Sequence, residues 1–331
     1  MGPRSWALSI MGSASVRGVA APILSALFFL SMFFVPVLGS LINPFAPLPI
    51  LYVLLRYGLV AGLFGALLSA IVVGAVLGAK VSAFYLLSYA LMAMVLGGMI
   101  KKQVGITTAV AVAAALSMAA TGLFFVAVGS SSAAEVYTFM LKIVQQMINE
   151  SVDTYRKAGV PADQVDFLVQ NAGDISRWMV RILPGAAAVA YFLMSLSNYI
   201  FYRYLQKRWT YLAPADTLDT TRWSPPEQMV FAFILGLGLA LVANSLARIV
   251  GVNILIVVML VYFTTGCCII QFWFEKFKLP NFLRMTVYIL LLLQPFLMAG
   301  IAGMGLFDLW FDFRKIRRKA GAKEEDNGTD T

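Results

Sequence analysis

Between Asn43 and Gly78 the chain reads NPFAPLPILYVLLRYGLVAGLFGALLSAIVVGAVLG, 36 residues with a single charge, Arg56. About 20 apolar residues cross a bilayer core, so this stretch is too long for one straight span. Pro44, Pro47 and Pro49 crowd its first part, and Gly58 follows close behind Arg56. The pattern predicts a short or broken helix, a turn at Arg56–Gly58, and a full span from there to Gly78. Along that span Gly58, Gly62, Gly65 and Ser69 recur at helical spacing. Such a stripe of small side chains lets another membrane helix approach closely. Broken helices at membrane depth are tolerated where they are buried in protein or line a cavity. The stretch is therefore the first place to look for a ligand site.

The rest of the chain is built in the same way. It is 60% hydrophobic and only 12% charged, with a mean hydropathy of +0.83; a soluble domain is nearer a quarter charged. This composition predicts an all-α fold, a polytopic transmembrane helix bundle of eight or nine membrane segments, counting the short broken helix before Arg56. Residues 1–18 form an N-terminal tail. A span over 19–42 follows, longer than a signal-peptide core and without a small-residue cleavage site, so it is expected to be retained. After the 43–78 stretch come spans over 81–100, closed by Lys101-Lys102, and over 104–128. Residues 19–130 thus read as an N-terminal membrane bundle and 178–306 as C-terminal membrane helices. The latter comprise spans near 178–204, kinked at Pro184-Gly185, then 228–248, 252–274 and 282–304, the last containing Pro295. Residues 307–331 read as a basic interfacial segment and a tail disordered beyond Ala320.

Between the two bundles, residues 131–177 break the hydropathy. Val136, Met140, Ile143, Val144, Met147 and Ile148 recur at helical spacing, which predicts an amphipathic helix. Gly159-Val160-Pro161 then turns the chain into a second one. The insert reads as a helical hairpin lying on the membrane surface or as a lid over a substrate site. Lysine and arginine gather on the cytoplasmic side. Placing Lys101-Lys102, Arg203, Lys207, Arg208, Lys276 and Lys278 inside puts this acidic insert on the extracytoplasmic face. The same count puts the tail outside, against its own Arg314, Lys315, Arg317, Arg318 and Lys319, unless the last span is a re-entrant pair broken at Gln294-Pro295.

Several function classes are excluded. The chain has no histidine, which removes His-based metal sites, Ser-His and Cys-His nucleophiles and histidine proton relays. Cys267 and Cys268 are adjacent, a spacing that rarely satisfies disulfide geometry, and read as small core residues. No P-loop, dinucleotide fingerprint, zincin or Ser-Lys signature is present. No catalytic residue, cofactor or metal is expected, and the chain does not read as an enzyme. The net charge of +9 sits beside apolar segments and in the tail, so its partner is the lipid bilayer rather than nucleic acid.

Arg56 has two readings. At the end of a short helix it is an interfacial anchor. Buried, it needs compensation, and since no acid lies within a confident span, the partner is a small anionic ligand held by the guanidinium fork. On the second reading Arg56 points into the bundle interior, and Tyr52, Tyr57 and Asn43 join it as ligand-binding candidates. Other polar side chains within spans, among them Ser88, Tyr89, Ser195, Asn198, Asn253 and Gln294, read as interhelical hydrogen-bond glue. Asp308, Asp312 and Arg314 at the end of the last helix read as an i,i+4-type surface pairing or an interfacial, partner-docking group.

Three segments, PLPILYVLLRYGLVAGLFGALLSA, RWSPPEQMVFAFILG and GLFDLWFDFRK, resemble the YybS-like family of uncharacterised bacterial membrane proteins. That resemblance runs from about 20 to 318. Arg56 matches the arginine of the opening motif, and Asp308 and Arg314 match the closing one. The N-terminal half of that family is similar to the substrate-binding S components of energy-coupling-factor transporters. The resemblance implies a multi-pass protein of the bacterial cytoplasmic membrane, a substrate-binding subunit for small-molecule uptake, and a transmembrane coupling subunit with ATPases as partner. Without histidine the chain lacks the ligands of the metal-specific S components, which argues against nickel or cobalt as cargo. A non-transporting membrane scaffold or assembly factor is the competing reading.

The topology is directly testable. With Cys267 and Cys268 replaced by serine, a cysteine introduced at Asp163 should react with an impermeant thiol reagent in intact cells. Labelling only after lysis would reverse the orientation.

Overall fold

The computed structural model describes residues 14–129, 133–208, 221 and 223–315. The readings for residues 1–13, for the loop 209–220 and for the tail beyond Ala320 lie outside the described residues. What is described is 89% helical and contains no strand. The chain divides into two compact units, Met1–Arg181 with Ala190–Thr217, and Ile182–Val189 with Leu218–Thr331.

In the first unit, α1 (Ala14–Phe34) ends two residues before Pro36, and α2 (Pro36–Ile42) starts on that proline. Proline disfavours the helical region for its predecessor, and Val35 accordingly sits at φ −137°. A 3₁₀ turn, Asn43–Phe45, and α3 (Pro47–Tyr57) follow with Ala46 between them at φ −56°, ψ −32°. The backbone thus stays right-handed helical past Pro44, Pro47 and Pro49. Residues Val37–Tyr57 make one apolar span, tightened at Asn43 rather than broken before Arg56. The chain then reverses on one residue: Gly58 stands at φ +100°, ψ 177°, a region open essentially to glycine alone. The same device recurs at Gly78, φ +87°, ψ 166°, between α4 (Leu59–Leu77) and α5 (Ala79–Tyr85). A π turn, Leu86–Ala90, carries α5 into α6 (Leu91–Lys101), and α7 (Ile106–Gly129) follows.

The small-residue stripe divides into two roles. A Cβ at Gly62 would lie 2.9 Å from Leu54 Cβ, and one at Gly65 would lie 3.1 Å from Pro22 Cγ. Ser69 donates to the Pro22 carbonyl at 2.8 Å. These three pack α4 against α3 and α1. Gly58 has nothing within 4 Å; its part is the turn.

The insert forms α8 (Ala133–Lys157) and the first part of α9 (Ala162–Arg208), joined by Gly159 at φ +75°. Val144, Ile148 and Val152 of α8 pack with Val165 and Val180 of α9. The sequence suggested a separate hairpin on the membrane surface. Instead its second arm is continuous with the following span, in one helix of 47 residues, about 70 Å at 1.5 Å per residue. Pro184 does not end that helix, because the amide after it is satisfied from outside: Gly185 N donates to Asn253 Oδ1 at 2.6 Å.

In the second unit, α10 (Met229–Leu241) and α11 (Ser245–Lys276) form an antiparallel hairpin whose corner is capped by Asn244, which accepts from the amides of Leu246 and Ala247. Gly236 and Gly251 bring the two backbones together. The next pair, α12 (Asn281–Leu293) and α13 (Pro295–Phe311), bends by 105° at the Gln294–Pro295 break. α13 crosses α11 where Gly305 meets the Tyr262 carbonyl and Gly266 meets Ile301. Among the described residues 6 helices are long and apolar enough to cross a membrane, or up to 7 with the bent pair taken as one span. The expected eight or nine counted two segments that are short in the structure, Val19–Phe34 and Met229–Leu241. They are cut by Pro36 and by the Asn244 cap.

Because α4 touches α3 through a glycine, Gly62→Leu should destabilise the folded protein by about 1–3 kcal/mol, the usual cost of overpacking. Leu63→Ala removes an exposed side chain and should cost less. Thermal unfolding of the two variants in the same detergent checks this; equal melting temperatures would show that Gly62 is not at an interface.

Candidate functional site

The largely apolar interior of the first unit encloses a hydrogen-bonded polar network. Tyr85 and Tyr89 stack with ring centroids 5.9 Å apart, and Phe29 meets each edge-on at 5.2 and 5.1 Å. Ser25 donates to the Ala46 carbonyl, and the Tyr85 hydroxyl lies 2.6 Å from Ser25 Oγ. Tyr89 donates to Asn43 Oδ1 at 2.6 Å, while Asn43 Nδ2 donates to the Phe29 carbonyl. One turn away, the hydroxyls of Ser88, Thr121 and Tyr191 form a triangle with sides of 2.8 to 2.9 Å. Asn198 Nδ2 donates to the Pro44 carbonyl at 2.7 Å. Asn43, a ligand candidate by sequence, therefore belongs to this internal network.

Outside the network lies an apolar cleft of about 810 Å³, within the roughly 300–1,000 Å³ typical of small-molecule sites. Its walls are Ala20, Ala21, Leu24 and Phe28 of α1, Leu41 and Ile42 of α2, Phe45, then Leu48, Pro49 and Tyr52 of α3, and Phe201 and Leu205 of α9. Tyr52 supplies the single polar side chain among them. Leu24, Leu41 and Phe201 are 43%, 68% and 43% exposed, so the cleft is open along its side.

Arg56 stands one turn beyond Tyr52 on the same face of α3. The interior position that the sequence suggested is not observed: Arg56 is exposed. Gly58 ends α3 immediately after Tyr57, leaving Arg56 in the last helical turn, where the dipole favours a cation. Its guanidinium lies 5.7 Å from the centroid of the Tyr57 ring, which meets the Tyr52 ring edge-on at 6.4 Å. Tyr52, Tyr57 and Arg56 are thus brought together at the edge of the cleft, and Asn43 is not. The α9 wall was missed by sequence reasoning, because nothing in residues 43–57 announces Phe201 and Leu205. The available signal was Asn198, an asparagine in an apolar span, which ties α9 to Pro44.

The second unit holds a different arrangement. Asp308 and Arg314 read from sequence as interfacial, and here they are buried. Arg314 Nη2 meets Asp308 Oδ2 at 2.6 Å, and the two side chains are 1% and 9% exposed. Asp312, at φ +44° in the left-handed region, reverses the chain after α13, so the pair closes at i,i+6 rather than i,i+4. Phe313 N donates to Asp308 Oδ1 at 2.9 Å. Arg314 Nη1 also donates to the carbonyls of Thr221 and Trp223 at 3.1 and 2.8 Å. Two of the segments singled out by sequence, RWSPPEQ and GLFDLWFDFRK, therefore meet at one guanidinium. Ser224, Glu227, Asp308, Tyr262 and Thr265 line a cavity of about 10 Å³ beside it, room for a single water. Residues 249–274 of α11 are uncharged, and Tyr262 is the fourteenth of those 26. The ion pair thus meets α11 halfway along its apolar run, a depth at which ionisable groups are costly and mark function.

Residues 23–309 match the family described as predicted membrane protein (DUF2232). The chain belongs to that family. The match opens within α1 and ends at Leu309, so it takes in Asp308 and all of the cleft's walls except Ala20 and Ala21. No curated protein and no solved structure matches the chain.

Removing one partner of a buried ion pair leaves an uncompensated charge, at a cost of about 3–5 kcal/mol. Asp308→Asn and Arg314→Gln should each lower the unfolding temperature, and the double variant should lose less than the sum of the two. Strict additivity in that cycle would show that the groups do not interact.

Proposed function

We propose that this integral membrane protein is a non-enzymatic, ligand-binding subunit of a small-molecule uptake system in the bacterial cytoplasmic membrane, and that its first unit takes an apolar molecule from the bilayer. The cleft carries this reading: a concave site of about 810 Å³, apolar apart from Tyr52 and open at its side. The resemblance read in the sequence to the YybS-like family, whose N-terminal half is similar to S components, suggests as partner a transmembrane coupling subunit with ATPases.

A second reading rests on the open side of the same cleft. A groove of exposed Leu24, Leu41 and Phe201 also fits a transmembrane helix of another protein, which would make the chain a scaffold or assembly factor.

Photo-crosslinking from benzoylphenylalanine placed at Leu41 or Leu205 separates the two. Uptake predicts adducts of small-molecule mass, lost when Ala20→Trp or Leu24→Trp fills the cleft. Both positions are exposed toward it, so the added bulk does not enter the core. Adducts of polypeptide mass would replace this reading with the scaffold.

A further inference from the structure

The cleft has direction. Asn198 bonds the Pro44 carbonyl, and the rings of Phe45 and Phe201 lie 5.3 Å apart. From that pairing α3 and α9 run the same way along the cleft, through Leu48, Pro49 and Tyr52 on one wall and Leu205 on the other. One turn further, the two walls end in Arg56 and Arg208. Arg56 follows Tyr52 by four residues, and Arg208 follows Leu205 by three, so each stays on the face of its helix that lines the cleft. Both are exposed.

The charge at this end of the first unit is of one sign. α6 runs beside α3, with Gly97 against Leu54, and it brings Lys101 and Lys102 to the same end, where Arg203 and Lys207 also stand. Asp and Glu are absent from residues 14–129 and 182–208. Every described acid of this unit lies between Glu135 and Asp174, in the hairpin at the opposite end of α9. An apolar cleft open at its side and finished by two arginines complements one kind of molecule, an amphiphile with hydrocarbon chains and an anionic head. Two planar guanidinium forks suit a phosphate in particular.

We infer that the cleft binds a phosphate-headed lipid drawn from the bilayer, its chain along Leu24, Phe28, Leu48 and Phe201 and its phosphate between Arg56 and Arg208. This assignment rests on the reading of the cleft as a ligand site and names the ligand class. The arginine that by sequence promised a buried anion site is one half of a head-group clamp at the mouth of an apolar one.

The test is competition between chain-matched phosphatidylglycerol and phosphatidylcholine for the full-length protein, read by native mass spectrometry. The wild type should prefer phosphatidylglycerol. Arg56→Gln and Arg208→Gln should each reduce the preference about fivefold, the contribution of one basic residue close to an anionic surface, and still bind phosphatidylcholine. Lys102→Gln, at the same end but away from the cleft walls, should leave the preference intact. Leu24→Trp should remove both lipids. Equal binding of the two lipids, with Leu24→Trp still blocking both, would overturn the phosphate assignment and leave the apolar site standing. Preference unchanged by Leu24→Trp would place the anion on the general basic surface and overturn the cleft as its site. Retention of a polypeptide in place of lipid would overturn it as well.

Discussion

Tyr85 and Tyr89 stack one helical turn apart, and their hydroxyls reach across to the backbone and side chains around Asn43 and Ala46, Tyr85 through Ser25 and Tyr89 directly. Lipid tails are as apolar as the helices they surround, so burying hydrocarbon does little to hold membrane helices together. Hydrogen bonds and close backbone approach do that work. The π turn at Leu86–Ala90 adds a residue to one helical turn, so Ser88 meets Thr121 and Tyr191 while Tyr89 meets Asn43. Each such bond contributes only about 0.6–2 kcal/mol in a membrane. The Ser25–Tyr85, Tyr89–Asn43 and Ser88–Thr121–Tyr191 groups nevertheless tie α1, the Asn43–Phe45 turn, α7 and α9 to one helix. The Asn198–Pro44 bond and the Phe45–Phe201 contact add a second anchor beside the cleft for the α9 wall.

In the second unit close approach takes the place of hydroxyl networks. Gly236, Gly251, Gly266 and Gly305 let α10 and α13 lie directly on α11. Both neighbours stop partway along that helix, α10 at its N-terminus and α13 at its C-terminus. Short helices that end at depth leave backbone groups exposed to hydrocarbon unless protein satisfies them. Arg314 and Asp308 do so for this junction, with the guanidinium taking two carbonyls of the incoming loop and the carboxylate taking the Phe313 amide. The carboxylate and guanidinium also neutralise each other, which offsets part of the cost of burying them, while Arg314 Nε is left without a partner among the described residues.

The cleft and the charged junction have opposite chemistry. One is an apolar groove with a basic rim; the other is a water-sized polar cavity around a paired acid and base. The two features lie in different units and are built from different residues. The 47-residue α9 supplies one wall of the first and continues the hairpin whose acids are kept away from the basic rim.

Sequence alone determined the class of fold, because a chain 60% apolar with long uncharged runs has nowhere to put its backbone but in membrane helices. It placed the turn at Gly58 and offered a break at Gln294–Pro295 as one way to reconcile the topology, since glycine and proline act through local backbone geometry. It also picked out Gly62, Gly65 and Ser69 as packing residues and named Tyr52 and Arg56 as ligand candidates. It could not tell which way a side chain at a helix end points, so Arg56 read equally as buried or exposed. It took Asp308 and Arg314 for surface groups because their partner is six residues along and depends on a left-handed Asp312. Local rules reach three or four residues along a helix. Phe201 beside Phe45, Tyr191 beside Ser88, and Arg314 on the carbonyls of Thr221 and Trp223 are separated by 156, 103 and about 90 residues. Only the packing of whole helices decides pairings at that range, and both sites are made of them.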